Sequence, residues 1–196
     1  MRKAELVYRE ILRGVMEKKI GRFTQLELAR ALGISLSTVN NALRPLRKMG
    51  AVKVKKRCFD VVSARKVLYY WASVRNLEKD IVYVTRVGFK STVSEVEKGM
   101  PPAVVFAAYS AYKFRFNDAP ADYSEVYVYC DEESLKDLVK RFPEKKGNPN
   151  LFVLRKDFMG SQVSVAQIFV DLWNLREWYA RDFVKALEER INGILA

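Results

Sequence analysis

Residues 24–62, TQLELARALGISLSTVNNALRPLRKMGAVKVKKRCFDVV, decide how the chain is read. Thr24 carries a hydroxyl that can accept a hydrogen bond from the N–H groups left open in a first helical turn. Glu27 follows three residues later, the spacing of a capping box. Leu26, Leu28, Ala29 and Leu32 then mark one helix, and Gly33 supplies the turn because glycine tolerates positive φ. Ser35 is placed to cap a second helix. At about 100° per residue, Leu36, Val39, Leu43 and Leu46 fall on one side of it. Ser37, Asn41, Arg44 and Lys48 fall on the other, flanked by Thr38, Asn40 and Arg47. Gly50 ends the helix. Val52 and Val54 alternate with Lys53 and Lys55, Lys56 and Arg57 form a basic tip, and Phe59 to Val62 returns as the second strand of a hairpin.

Two capped helices joined by a glycine turn, with a basic hairpin behind them, make a helix-turn-helix with a two-stranded wing. The amide, hydroxyl and guanidinium groups on the outer side of the second helix are those that read base edges and phosphates in a major groove. The candidate DNA-binding residues are Thr24, Gln25, Ser35, Ser37, Thr38, Asn40, Asn41, Arg44, Arg47, Lys48, Lys53, Lys55, Lys56 and Arg57. Of these, Ser37, Thr38, Asn40, Asn41 and Arg44 are expected toward bases and the wing cations toward phosphate. Pro45 removes a backbone donor and crowds the carbonyl of Asn41. A bend or an early end of the helix is expected there, which moves Arg47 and Lys48 toward phosphate. The phrase Ser37-Thr38-Val39 through Ala42-Leu43 to Met49-Gly50-Ala51-Val52 resembles the winged helix-turn-helix regulators of archaea and bacteria. That resemblance spans roughly the first 75 residues and implies binding to duplex DNA.

Charge distribution points the same way. The chain of 196 residues has a net charge of +12. Residues 1–80 hold 19 Lys and Arg against 7 Asp and Glu, whereas residues 81–196 hold 16 of each. The whole excess lies in the half with the helix-turn-helix, so a polyanionic partner belongs there. A membrane surface is the competing polyanion, but no apolar run approaches ~18 residues. The opening MRKAELVYRE is charged and periodic, unlike a signal peptide, and a cytoplasmic location is expected. The chain has no His, which removes the commonest general base and any imidazole ligand. Cys58 and Cys130 have no metal-type spacing and are expected as free thiols. No cofactor and no catalytic activity are expected. Scarce Gln, absent His and 30% charged residues fit a thermophilic source.

Before the quoted stretch, Ala4, Val7, Tyr8, Ile11, Leu12, Val15 and Met16 repeat at helical spacing. After it, Ser63 caps a helix expected over 64–76, whose wide apolar face completes the core or bridges to a neighbour. Polar residues near 77–80 place the domain boundary, giving 1–77 as the DNA-binding domain and 78–196 as a partner, effector or dimerisation domain. In the latter, strands are expected at 81–85, 125–130 and 151–154. Helices are expected at 91–98, from Pro102 through Ala111, after Asp131, at 163–172 and at 177–192. The fold class is thus mixed, α+β or α/β: a winged helix-turn-helix followed by an α/β domain with a small sheet flanked by helices.

Residues 81–196 have no phosphate loop or dinucleotide fingerprint. Asp118, Asp122 and Asp171 are scattered carboxylates, with Asp171 expected to pair with Arg176 or Arg181 or to cap a helix. Phe106, Tyr109, Tyr112, Phe114, Phe116 and Tyr123 form an aromatic set suited to core or to a ligand pocket. Ala108, Ser110 and Ala111, then Val126-Tyr127-Val128, then a helix and Asn150-Leu151-Phe152-Val153-Leu154 look like the C-terminal domain of the type IV abortive-infection antitoxins, the AbiEi-like regulators. The segment Val163-Ser164-Val165-Ala166-Gln167 through Val170-Asp171-Leu172 is similar to their closing phrase. Trp173-Asn174-Leu175 and Trp178 depart from the small or basic residues expected after it. The resemblance implies a DNA-binding autorepressor with a nucleotidyltransferase-like toxin as partner, and palindromic operators imply a homodimer. The alternatives are a ligand-sensing regulator, a DNA-tethered nucleotide-processing enzyme and a structural chromatin protein.

Overall fold

The computed structural model describes residues 1–88 and 92–195. They divide into two compact units. One comprises Met1–Arg75, Ser164–Val170 and residues 188–195; the other comprises Asn76–Val163, without 89–91, and Asp171–Leu187.

In the first unit, α1 (Lys3–Lys18) buries Val7, Tyr8, Ile11, Leu12 and Met16 on its inner stripe. Full burial of side chains of this size is worth about 1.5–3 kcal/mol each. The short strand β1 (Arg22–Phe23) leads into α2 (Gln25–Leu32), α3 (Leu36–Lys48), β2 (Val52–Val54), β3 (Phe59–Val61) and α4 (Ala64–Val74). Three details differ from expectation. Leu26 and Leu36 lie in the first turns of their helices on the outer side and are about half exposed, at 50% and 51%. The inner faces are made by the expected Leu28 and Ala29 on α2 and Val39, Leu43 and Leu46 on α3, with Ala42 added. Helix α3 neither ends at Pro45 nor stops short of it, and continues to Lys48. Asn41, whose carbonyl loses its helical donor to Pro45, is exposed, so water can supply the bond. Finally, the wing has three strands: β1 pairs antiparallel with β3, and β3 with β2.

Helix α4 buries Val67, Leu68, Trp71 and Ala72, so it completes this core. Its Tyr69 ring meets Phe169 edge-on and its hydroxyl donates to Glu188 at 2.6 Å. The segments 164–170 and 188–195 thus pack as members of the first unit.

In the second unit, β4 (Ile81–Thr85), α5 (Val93–Lys98), β5 (Val105–Ala107), α6 (Ala108–Phe116), β6 (Val126–Cys130), α7 (Glu132–Arg141) and β7 (Leu151–Arg155) follow in order. The sheet order is β4-β7-β6-β5, with β6 and β7 parallel and the outer pairs antiparallel. Val96, Val104, Val126, Val128, Leu138, Leu151 and Val153 form the core on one face. Ser91, the expected start of α5, lies outside the described residues; Thr92 caps that helix, with Glu95 completing the box. The helix expected from Pro102 is not formed, because Val105–Ala107 pairs with β6 and the helix starts at Ala108, where φ is +46°. The β-branched Val104-Val105 was the available strand signal. Two further helices, α8 (Val165–Trp173) and α9 (Ala180–Leu195), close the chain, each shared between the units. No helix among the described residues is long and apolar enough to cross a membrane.

Candidate nucleic-acid interface

Local chemistry sets the two helices. The Glu27 N–H donates to the Thr24 hydroxyl oxygen at 3.1 Å, and the Thr24 N–H donates to the Glu27 carboxylate at 3.3 Å. Gly33 takes φ +61° at the turn. The Thr38 N–H donates to Ser35 Oγ at 3.1 Å, and the two hydroxyls lie 2.8 Å apart. Thr24, Ser35 and Thr38 therefore spend polar capacity on capping. The packing then fixes the outward face. Val39, Leu43 and Leu46 are fully buried, and Tyr8 of α1 donates its hydroxyl to the Ala42 carbonyl at 3.2 Å.

Opposite that buried stripe, Ser37, Asn40, Asn41, Arg44, Arg47 and Lys48 are all exposed. Two asparagines meet two arginines there. Arg44 Nη2 donates to Asn41 Oδ1 at 3.0 Å, and Arg47 Nη2 donates to Asn40 Oδ1 at 2.7 Å. A guanidinium has five donors, so each arginine keeps most of its capacity while its direction is restrained. Gln25 and Thr38 are half-buried, and none of the fourteen candidate residues is buried. The positive end of the α3 dipole lies at Ser35, an orientation that favours an anion.

The wing carries the rest. Lys53, Lys55, Lys56 and Arg57 are exposed, and the Lys55 N–H closes the hairpin on the Cys58 carbonyl at 2.8 Å. Two charged residues that sequence reasoning left out belong to this surface. Arg22 Nε donates to Asp60 Oδ1 at 2.7 Å, and Lys55 Nζ pairs with the other oxygen of the same carboxylate. Arg22-Phe23 directly before the cap, and a single acid within a run of cations, were the available signals. The hydrogen bond from Arg22, followed by that from Lys55, lowers the Asp60 pKa from 3.8 to about 2. The sign follows: Asp60 contributes stability fully above its ordinary range, and loses it as pH falls from about 4 through about 2. Acid titration followed by circular dichroism should therefore show the Asp60→Asn protein losing that part of its pH dependence; an identical acid profile would contradict the pairing.

Asp171 is buried and accepts from the Tyr129 hydroxyl at 2.8 Å, a partner outside the expected Arg176, Arg181 or helix cap; Arg176 meets Glu78 at 2.9 Å. Asp118 accepts from Tyr112 at 3.3 Å, and Asp122 is exposed. No group of three or more acidic or cysteine side chains among the described residues is arranged to hold a metal. The aromatic set is packed ring on ring: Tyr109 meets Tyr123, Tyr127, Tyr179 and Phe183 at 5.0–6.2 Å between centroids. Phe114 lies 55% exposed beside Phe106. Glu177 accepts from both Tyr109 and Tyr127 at 3.1 Å, and Tyr179 donates to Glu125. Burial, then the charge of Glu177, raises the Glu125 pKa. Both thiols are free, and burial pushes that of Cys130 up to about 11.

A three-helix core with a polar recognition helix and a basic sheet beside it is a winged helix-turn-helix domain. Residues 21–53 match the protein-family model described as winged helix-turn-helix DNA-binding, a span running from β1 into β2. No curated protein and no solved structure matches the chain.

Proposed function

We propose that the protein is a sequence-specific regulator of transcription that binds double-stranded DNA through residues 24–57. The observation that carries this reading is the exposed face of α3, where Asn41–Arg44 and Asn40–Arg47 pairs stand beside a wing rich in lysine. Amide and guanidinium groups discriminate bases, and lysines neutralise phosphate. Residues 1–77 bind DNA in this reading, while 78–196 provide the partner, effector or dimer surface. A homodimer on a palindromic site is the matching stoichiometry. The likeness of 108–154 and 163–172 to AbiEi-like domains supports the finer assignment, an autorepressing antitoxin whose partner is a nucleotidyltransferase-like toxin. Footprinting on the DNA upstream of its own gene tests both levels. Protection of a defined inverted repeat at physiological salt is expected. Uniform coverage without a boundary would replace the regulator with an architectural DNA-coating protein.

A further inference from the structure

The wing register places more than a hairpin on the DNA-facing side. Arg22 on β1, Asp60 on β3 and Lys53 on β2 are directly opposite one another, and so are Phe23, Phe59 and Val54 one step along. Directly opposed residues project from the same side of a sheet. The phenylalanine row faces inward: Phe59 is fully buried, Phe23 stacks on it, and a methyl group added to Gly14 of α1 would come within 2.5 Å of the Phe23 ring. The Arg22 row therefore faces away from the core, on the same side as the exposed Lys53.

Resting on the DNA-binding reading, we propose that Arg22 is a phosphate-contacting residue of this surface and that Asp60 is its positioning residue. A carboxylate on a face that meets a polyanion opposes binding, so its presence is not explained by affinity. What it does is hold two cations at once, Arg22 from one side and Lys55 from the hairpin turn. Fixed spacing between cations matters where base contacts from α3 hold the phosphates in one register, that is, on a target site. On random DNA the same carboxylate is only a repelling charge. Asp60 thus trades affinity for discrimination, and Arg22 extends the contact onto a strand outside the hairpin.

The test uses the full-length protein, a fragment from upstream of its own gene and a random-sequence duplex of equal length, with affinity measured across a salt series. Arg22→Ala should reduce the slope of log K against log salt by about 0.9 on the upstream fragment, the value for one lost phosphate contact, and by less on random DNA. Asp60→Asn should bind random DNA several-fold more tightly and lower the ratio of upstream-fragment to random binding. Circular dichroism should be unchanged for both, since the altered groups lie on the surface. An unchanged slope for Arg22→Ala, with Lys56→Ala flattening it as expected, overturns the assignment of Arg22 and leaves the DNA-binding reading standing. An equal gain on both duplexes for Asp60→Asn overturns the positioning role. Absence of any salt-dependent duplex binding by the unaltered protein would remove the underlying reading first.

Discussion

Replacing Arg44 with alanine is expected to weaken binding to the target duplex roughly fivefold to 150-fold, about 1–3 kcal/mol, with a much smaller loss on random DNA. Arg44 lies on the side of α3 opposite fully buried Val39, Leu43 and Leu46, so it points away from the core at the middle of the recognition helix. Its Nη2 is held by Asn41 at 3.0 Å, which restrains the fork before DNA arrives. A pre-oriented guanidinium loses less freedom on pairing with a base edge than a freely rotating one. Asn41→Ala should therefore carry part of the same loss even with Arg44 in place. Lys48→Ala provides the contrast, weakening all duplexes alike and flattening the salt slope. The measurement is fluorescence anisotropy with the footprinted duplex and a scrambled version. If Arg44→Ala lowers both affinities equally, the side chain is a phosphate contact and base reading lies elsewhere on the helix.

The second large effect concerns stability. Glu5→Ala should destabilise the first unit by about 3–5 kcal/mol, the range for removing one partner of a buried ion pair. Glu5 sits in the first turn of α1 and is almost fully buried. One of its oxygens accepts from Trp71 Nε1 at 3.2 Å and from Arg75 Nη1 at 3.5 Å, and the other accepts from the Arg2 N–H at 3.4 Å. The Arg75 side chain is only 1% exposed. Alanine would leave a buried guanidinium and a buried indole N–H without this acceptor, and both were desolvated on folding. Glu5→Gln keeps an oxygen for Trp71 but loses the charge facing Arg75, so it should fall between the wild type and Glu5→Ala. Urea unfolding of the three proteins gives the ranking. A loss below about 1 kcal/mol for Glu5→Ala would mean that the Arg75 charge is met by other groups.

The caps, the Gly33 turn, the outward face of α3 and the basic hairpin were all legible because each depends on residues three or four apart or on strict alternation. Thr24 with Glu27, Ser35 with Thr38 and Ser63 with Lys66 appear as the spacing required. What was misread depended on partners distant in the chain. Val105–Ala107 became a strand because β6 was there to pair with it. Asp171 found Tyr129, 42 positions away in the chain. The helix does not end early at Pro45, since the buried stripe of α3 keeps the last turn helical despite the missing donor.

The amino-acid sequence by itself determined that this protein has a helix-turn-helix with a cationic hairpin, because capping, periodicity and charge act over a few residues and need no other part of the chain. Tertiary structure alone decided that a third strand joins the wing and brings Arg22 to Asp60 across 38 positions. It also decided that residues 164–170 and 188–195 complete the first unit. Those pairings arise from burial of apolar surface far apart in the chain, and burial chooses partners by shape and proximity in three dimensions rather than by spacing.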